Sequence, residues 1–181
     1  MKTALLLIDL QNDYFAGGAN PLENANNAVL NAKQLLDKFR LNNSEIIHIQ
    51  HIAKRADAAF FIQGTIGSYI HQIVKPLENE KVIVKHFPNS FRDTELLSFL
   101  QSKQINHLVI CGMMTHMCVD ATTRAAKDLG FSCTLIEDAC ATKELKLNNH
   151  TIKAIDVQHS FMAALSYFYA SVITTEEFLK K

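Results

Sequence analysis

Short apolar runs that alternate with helix-like segments constrain the fold of this chain most strongly. The first run, residues 3–8, carries no alternating polar residues, which is typical of a strand buried on both faces of a parallel sheet. Strand-like and helix-like segments then alternate almost throughout. This order predicts an α/β fold with a mainly parallel sheet and helices on both faces. The predicted strands are 3–8, 45–51, 81–85, 108–110, 133–137 and 171–174, and the predicted helices are 23–41, 93–103, 115–129 and 151–170.

Two connections between the predicted elements are long. Residues 52–80 contain two glycines and a proline, and a connection of this length usually serves as a lid or a binding loop. Residues 138–147 also have the composition of a loop. After the last strand, Thr174 and Glu177 have the spacing of a capping box for a final helical turn.

Composition narrows the class of protein. The chain has 181 residues and a formal net charge of zero, so we expect one domain over residues 1–181 and neither a nucleic-acid partner nor a membrane partner. Its four cysteines lack the CxxC spacing of zinc or thioredoxin sites. Asp9 interrupts the apolar amino-terminal run, which argues against a signal sequence. We therefore expect a cytoplasmic protein with reduced thiols.

The segment 107–120 combines a strand, a tight turn and the start of a helix. Leu108–Ile110 is strand-like, Gly112 breaks that pattern, and Cys118 falls in the first helical turn. The unpaired N–H groups and the positive dipole end of a helix favour a thiolate, and they stabilise an oxyanion formed when that thiolate attacks a carbonyl. A buried cysteine is more often an inert core residue, so position alone does not make Cys118 catalytic.

Two further strand ends carry charges. Asp9 follows the first strand and Lys85 ends the third, and ligands of such sheets sit beyond the carboxyl ends of the strands. A lone charge there is costly to desolvate, so the two residues are expected to pair with each other. The pair could be purely structural, but an acid, an amine and the Cys118 thiol at one rim make a set for nucleophilic catalysis.

The substrate pocket is predicted from aromatic and histidine residues in or beside the loops. His48 and His51 point to opposite faces of a strand and make a poor chelate. The chain has neither a GxGxxG motif nor a P-loop, so a nucleotide cofactor has no support and we expect no cofactor. The candidate pocket residues are Phe15, His51, Phe60, Phe61, Phe87 and His116.

Three motifs in order, Leu7-Ile-Asp9-Leu-Gln-Asn-Asp13, Val84-Lys85-His-Phe-Pro-Asn-Ser-Phe and Cys111-Gly-Met-Met-Thr-His-Met-Cys118-Val, carry a resemblance. From about Ala4 to Phe178 the chain resembles the isochorismatase-like cysteine hydrolase superfamily, which includes nicotinamidases and N-carbamoylsarcosine amidases. The resemblance implies a three-layer Rossmann-like domain with a six-stranded sheet, and a homodimer or homotetramer. It implies an Asp9, Lys85 and Cys118 triad, a cis peptide between Met113 and Met114, and an oxyanion hole from the N–H groups of Met114 and Cys118.

Two departures from the superfamily shape the functional prediction. Nicotinamidases bind a metal through an Asp-x-His arrangement that His48-Ile-Gln-His51 lacks, so we expect no metal and poor nicotinamidase activity. True isochorismatases lack the nucleophilic cysteine. We predict a cysteine hydrolase that cleaves an amide-type carbon–nitrogen bond of a small molecule through a thioester. The alternatives are a vinyl-ether hydrolase that uses Asp9 and Lys85 alone, and a non-catalytic thiol redox or ligand-binding protein.

Overall fold

The computed structural model describes residues 1–180, and Lys181, the last residue of the predicted domain, lies outside the described residues. Six strands form one sheet in the order β3-β2-β1-β4-β5-β8, and every pairing in it is parallel. The predicted six-stranded sheet is therefore confirmed. The strands are β1 Thr3–Ile8, β2 Glu45–His51, β3 Lys81–Lys85, β4 His107–Met113, β5 Ser132–Ala141, β6 Leu145–Leu147, β7 His150–Ile152 and β8 Ser171–Ile173.

Helices cover both faces of the sheet. Side chains of β1 alternate between the two faces: Leu5 and Leu7 pack against the helix 25–41 (α1). Leu6 and Ile8 face the helices 96–102 (α2), 120–128 (α3) and 154–166 (α4). Because both faces of β1 are covered, its apolar run needs no polar alternation, and the predicted three-layer arrangement is confirmed. The helices are α1 Ala25–Leu41, α2 Leu96–Ser102, α3 Asp120–Asp128, α4 Ala154–Ser166 and α5 Thr175–Leu179. The predicted capping box at Thr174 and Glu177 begins α5.

The region after β5 differs from the prediction. β5 continues to Ala141 and stays paired with β4, although the register shifts between Ile110 and Gly112. β6 and β7 then form an antiparallel hairpin where a loop and the start of a helix are expected, and α4 begins at Ala154. The hairpin is mostly exposed, so its side chains carry no alternating apolar pattern from which strands could be read.

The sheet changes direction between β1 and β4, which lie side by side. From β1 the chain continues to β2 on one side, and from β4 it continues to β5 on the other, so a crevice opens at their carboxyl ends. Gly112 pairs with Ile8, and a Cβ atom at Gly112 would lie 2.0 Å from the Ile8 carbonyl oxygen. Only glycine permits this approach, which brings Asp9 next to the turn that follows β4. Among residues 1–180, no helix has both the length and the apolar character needed to cross a bilayer.

Candidate active site

Three strand ends bring an acid, an amine and a thiol together. Asp9 follows β1, Lys85 ends β3, and Cys118 lies in the turn after β4. The Lys85 Nζ atom lies 2.7 Å from Asp9 Oδ2 and 3.1 Å from Cys118 Sγ. Asp9 and Lys85 are fully buried, and Cys118 is 5% exposed. The residues that the sequence predicts as catalytic therefore form one buried cluster.

Burial and the neighbouring charges set the protonation states of Lys85 and Cys118. Burial opposes the charge on Lys85, but Asp9 and Cys118 hold its pKa above the ordinary value, so the amine is an ammonium. Burial raises the pKa of the Cys118 thiol well above its usual range; Asp9 raises it further and Lys85 lowers it. Burial is the largest influence on this pKa, so the resting group at neutral pH is a thiol, although a helix start favours a thiolate.

Asp9 is oriented so that one carboxylate oxygen is left for chemistry. Its amide donates to the Ile49 carbonyl of β2 at 3.1 Å, which fixes the turn after β1. Oδ2 pairs with Lys85, whereas Oδ1 forms no hydrogen bond within residues 1–180. The Asp9 carboxylate and the Cys118 sulfur lie within 4.8 Å of each other. A buried carboxylate that has one oxygen free of hydrogen bonds and a thiol within this distance is suited to accept the thiol proton.

Lys85 is held by more than its two predicted partners. Its Nζ atom also lies 3.0 Å from His51 Nδ1 and 3.1 Å from the Phe87 carbonyl oxygen. The loop that carries Phe87 is fixed to α3 by Ser90, whose amide and hydroxyl both contact the Thr122 hydroxyl. Four acceptors from four parts of the chain therefore surround the Lys85 ammonium.

The contacts of Lys85 also bear on whether a metal ion could bind in this site. Asp9, His51 and Cys118 each place one potential ligand atom within 4.8 Å of the others. Lys85 Nζ contacts all three residues at 2.7 to 3.1 Å, so the position where a cation would bind already holds an ammonium. A divalent ion there would face an adjacent positive charge, and these residues do not fit a metal.

The turn after β4 is π-helical before it continues as α3. The Met114 carbonyl accepts hydrogen bonds from the amides of Met117 at 3.0 Å and Val119 at 3.2 Å, and the second bond spans five residues. The Met113–Met114 peptide bond is cis. Both predicted oxyanion donors, the amides of Met114 and Cys118, belong to this segment. Helical periodicity alone does not distinguish such a turn from the first turn of an α-helix.

Three of the predicted pocket residues contact one another. The Phe61 ring centroid lies 5.0 Å from that of Phe60 and 5.8 Å from that of His51. Tyr14, which is not among the predicted pocket residues, packs on the rings of Phe60 at 5.9 Å and Phe61 at 4.7 Å. Tyr14 is buried. The rings of Tyr14, Phe60 and Phe61 form what we call the aromatic wall. His51 contacts both this wall, at Phe61, and Lys85 Nζ.

The other predicted pocket residues lie apart from this wall. The Phe15 ring packs on His71 at 4.0 Å. The Arg92 guanidinium lies over the Phe87 ring, 3.7 Å from its centroid. Phe87 contacts the cluster through its backbone carbonyl, which accepts from Lys85. His116 Nδ1 lies 2.5 Å from the Thr142 hydroxyl, and its ring contacts Phe161 of α4. His116 is therefore held toward β5 and α4.

Two polar residues of the first motif, for which the sequence predicts no role, fix the segment 52–70. Gln11 is fully buried; its amide donates to the carbonyls of His51 and Ser68 and accepts from the His51 amide. The Asp13 carboxylate accepts from the amides of Ala19 at 3.1 Å and Phe61 at 2.6 Å. Both are polar residues that follow closely after a buried strand. Such side chains are expected to be buried and to have hydrogen-bond partners.

Comparison with known proteins shows what the chain is similar to. The family model described as the isochorismatase domain matches residues 3–177. The uncharacterized isochorismatase family protein YddQ of Bacillus subtilis (strain 168) is 50% identical over 180 residues, which cover 99% of this chain and 100% of that protein. A streptothricin hydrolase from Streptomyces noursei is 31% identical over 90% of this chain and 56% of its own length. A solved structure from Oleispira antarctica, described as an isochorismatase hydrolase, has a TM-score of 0.96 and 46% identity over 99% of this chain and 97% of its own.

Proposed function

The chain belongs to the isochorismatase family of hydrolases, and on that premise we propose that it cleaves an amide-type carbon–nitrogen bond of a small molecule through a thioester on Cys118. One observation carries the proposal. A fully buried carboxylate, Asp9, pairs with Lys85 through Oδ2 and lies within 4.8 Å of the Cys118 sulfur, and its Oδ1 forms no hydrogen bond within residues 1–180. We treat residues 1–181 as one hydrolase domain.

The first half of the proposed reaction forms the thioester. Asp9 takes the proton from Cys118 as the sulfur attacks the carbonyl carbon of the substrate. The carbonyl electron pair moves to the oxygen, where the amides of Met114 and Cys118 stabilise the oxyanion. When the carbonyl re-forms, the carbon–nitrogen bond breaks and Asp9 returns the proton to the leaving amine. Lys85 keeps its positive charge throughout and stabilises both the Asp9 carboxylate and the developing thiolate.

The second half releases the product acid. Asp9 accepts a proton from water, and the resulting hydroxide equivalent attacks the thioester carbonyl. The same two amides hold the second oxyanion, and the sulfur leaves and recovers the proton from Asp9. No cofactor takes part in these steps. The aromatic wall of Tyr14, Phe60 and Phe61 supports an apolar substrate that is oriented by shape and ring contact.

The substrate is to be found by a screen of small amides with detection of released ammonia. Turnover in the native enzyme, together with a Cys118 mass adduct equal to the acyl part of the substrate, is the expected result. Hydrolysis of a vinyl ether by a Cys118→Ala variant would instead identify an isochorismatase-type reaction. A stable sulfenic acid at Cys118 without any thioester would favour the redox or ligand-binding alternative.

Compartment and assembly are part of the same proposal. All four cysteines are free thiols, which supports a reducing compartment such as the cytoplasm. Large apolar side chains on and near α4 are exposed, which supports a homodimer or homotetramer. Light scattering coupled to size-exclusion chromatography measures the assembly directly. The exposed residues are Ile152, Ile155, Tyr167 and Phe168.

A further inference from the structure

Among residues 1–180, His51 is the one side chain in contact with the Lys85 ammonium that the proposed reaction does not use. It ends β2, and Gln11 fixes its backbone on both sides, through the amide at 2.7 Å and the carbonyl at 2.9 Å. Its ring packs on Phe61. The position of the imidazole is therefore determined by the fold rather than by the ion pair that it contacts.

The contact with Lys85 fixes the protonation of the ring. An ammonium has no lone pair, so Lys85 Nζ is the donor and His51 Nδ1 the acceptor in their 3.0 Å contact. Burial and the Lys85 charge lower the pKa of His51 to about 4, against the opposing charge of Asp9, so the ring is neutral at neutral pH. A neutral imidazole that accepts at Nδ1 carries its proton on Nε2. This N–H has no partner within residues 1–180, and the ring is partly exposed.

We propose that His51 is a positioning residue for Lys85 and that its Nε2–H binds a hydrogen-bond acceptor of the substrate. The first part follows from the 3.0 Å contact between Lys85 Nζ and a ring that β2 and Gln11 hold in place. Without His51 Nδ1, the ammonium shifts toward the Asp9 carboxylate, its strongest partner, and its hold on the Cys118 sulfur weakens. The second part rests on the proposed function and specifies the substrate as an amide with an acceptor atom near the scissile bond.

The experiment uses two variants at His51 and one control. His51→Asn keeps an acceptor near the Nδ1 position and loses the Nε2–H group, whereas His51→Leu loses both. His107→Leu is the matched control, because His107 is also a half-buried, hydrogen-bonded histidine but lies at the amino end of β4. Thermal unfolding of all three shows whether each variant is folded.

The first measurement is the pH profile of Cys118 alkylation by iodoacetamide, localised by mass spectrometry. His51→Leu should react about tenfold more slowly than the native protein at neutral pH, with the profile displaced to higher pH by about one unit. His51→Asn and His107→Leu should follow the native profile. A native profile in a folded His51→Leu, or no rescue by asparagine, would overturn the positioning role. This measurement needs no substrate, so it stands even when the proposed amidase activity fails.

The second measurement is steady-state kinetics on the best amide from the screen. Relative to the native enzyme, His51→Asn should raise KM about tenfold with little change in kcat, because it lacks only the substrate contact. An unchanged KM in His51→Asn would overturn the role of the Nε2–H group. An unchanged kcat/KM in His51→Leu would overturn both roles.

Discussion

Lys85 Nζ lies 2.7 Å from Asp9 Oδ2 in an ion pair whose side chains are fully shielded from solvent. Removal of one partner leaves the other charge buried and uncompensated. Lys85→Met should therefore lower the free energy of unfolding by about 3–5 kcal/mol. Urea denaturation measures the change. Lys33→Met, which breaks the exposed pair between Lys33 and Asp37, is the control and should cost under about 1 kcal/mol. The double variant Asp9→Asn with Lys85→Met should recover part of the loss; equal costs for the buried and exposed pairs would contradict the prediction.

A single cysteine should account for turnover. Cys118→Ala should abolish hydrolysis of any amide found by the screen, because the thioester cannot form. Cys133→Ala is the matched control. Cys133 is also buried, but it lies near the start of β5, at the amino ends of the parallel strands and away from the site. The control should retain turnover and lose only packing energy. Full activity in Cys118→Ala would refute the mechanism.

Activity should not depend on a metal ion. The Lys85 ammonium occupies the position between Asp9, His51 and Cys118 at which a metal would bind. Prolonged treatment with a strong chelator should leave the amidase rate unchanged, and nicotinamide should remain a poor substrate. Activity lost to the chelator and restored by zinc, iron or manganese would show that the histidines have another role.

Stability should fall as the pH decreases from about 6.5 to about 4. In the unfolded chain His51 gains a proton near pH 6.5, whereas burial and the Lys85 charge delay this to about pH 4 in the folded chain. The unfolded state binds more protons in this window, so acid favours unfolding. His51→Asn should make the decrease shallower, and the exposed His150→Asn should not. The charged or titratable groups that act on His51 are Lys85, Asp9 and His86. A decrease of the same slope in His51→Asn would contradict the assignment.

The Asp13 carboxylate should hold Phe61, and with it the segment 52–70, in place beside Tyr14. Asp13→Asn leaves one acceptor oxygen for the amides of Ala19 and Phe61, so one of these two N–H groups loses its partner; the cost is about 1–3 kcal/mol for the buried Phe61 amide. Hydrogen exchange of the Phe61 amide should accelerate. Asp57→Asn is the control, because Asp57 lies in the same segment but is exposed and pairs with Arg55. Equal exchange in both variants would contradict the role of Asp13.

The sequence by itself determined the class of fold. An apolar run without polar alternation can only be buried on both faces, so residues 3–8 required a covered parallel strand. The order of strands and helices then required crossover connections and helices on both faces. Because parallel strands end at a common edge, the positions of Asp9 and Lys85 after their strands predicted that they would lie near each other.

Tertiary structure decided what depends on distance, burial and backbone pairing. The extension of β5 to Ala141 and the exposed hairpin of β6 and β7 rest on backbone hydrogen bonds, which leave no side-chain pattern in the sequence. The protonation of Cys118 depends on how completely the folded chain removes water from it, and burial is the largest influence on its pKa. The partners of His51 and Tyr14 come from segments distant in the sequence. Local periodicity specifies which face a residue occupies, but only the packed chain specifies which atoms meet there.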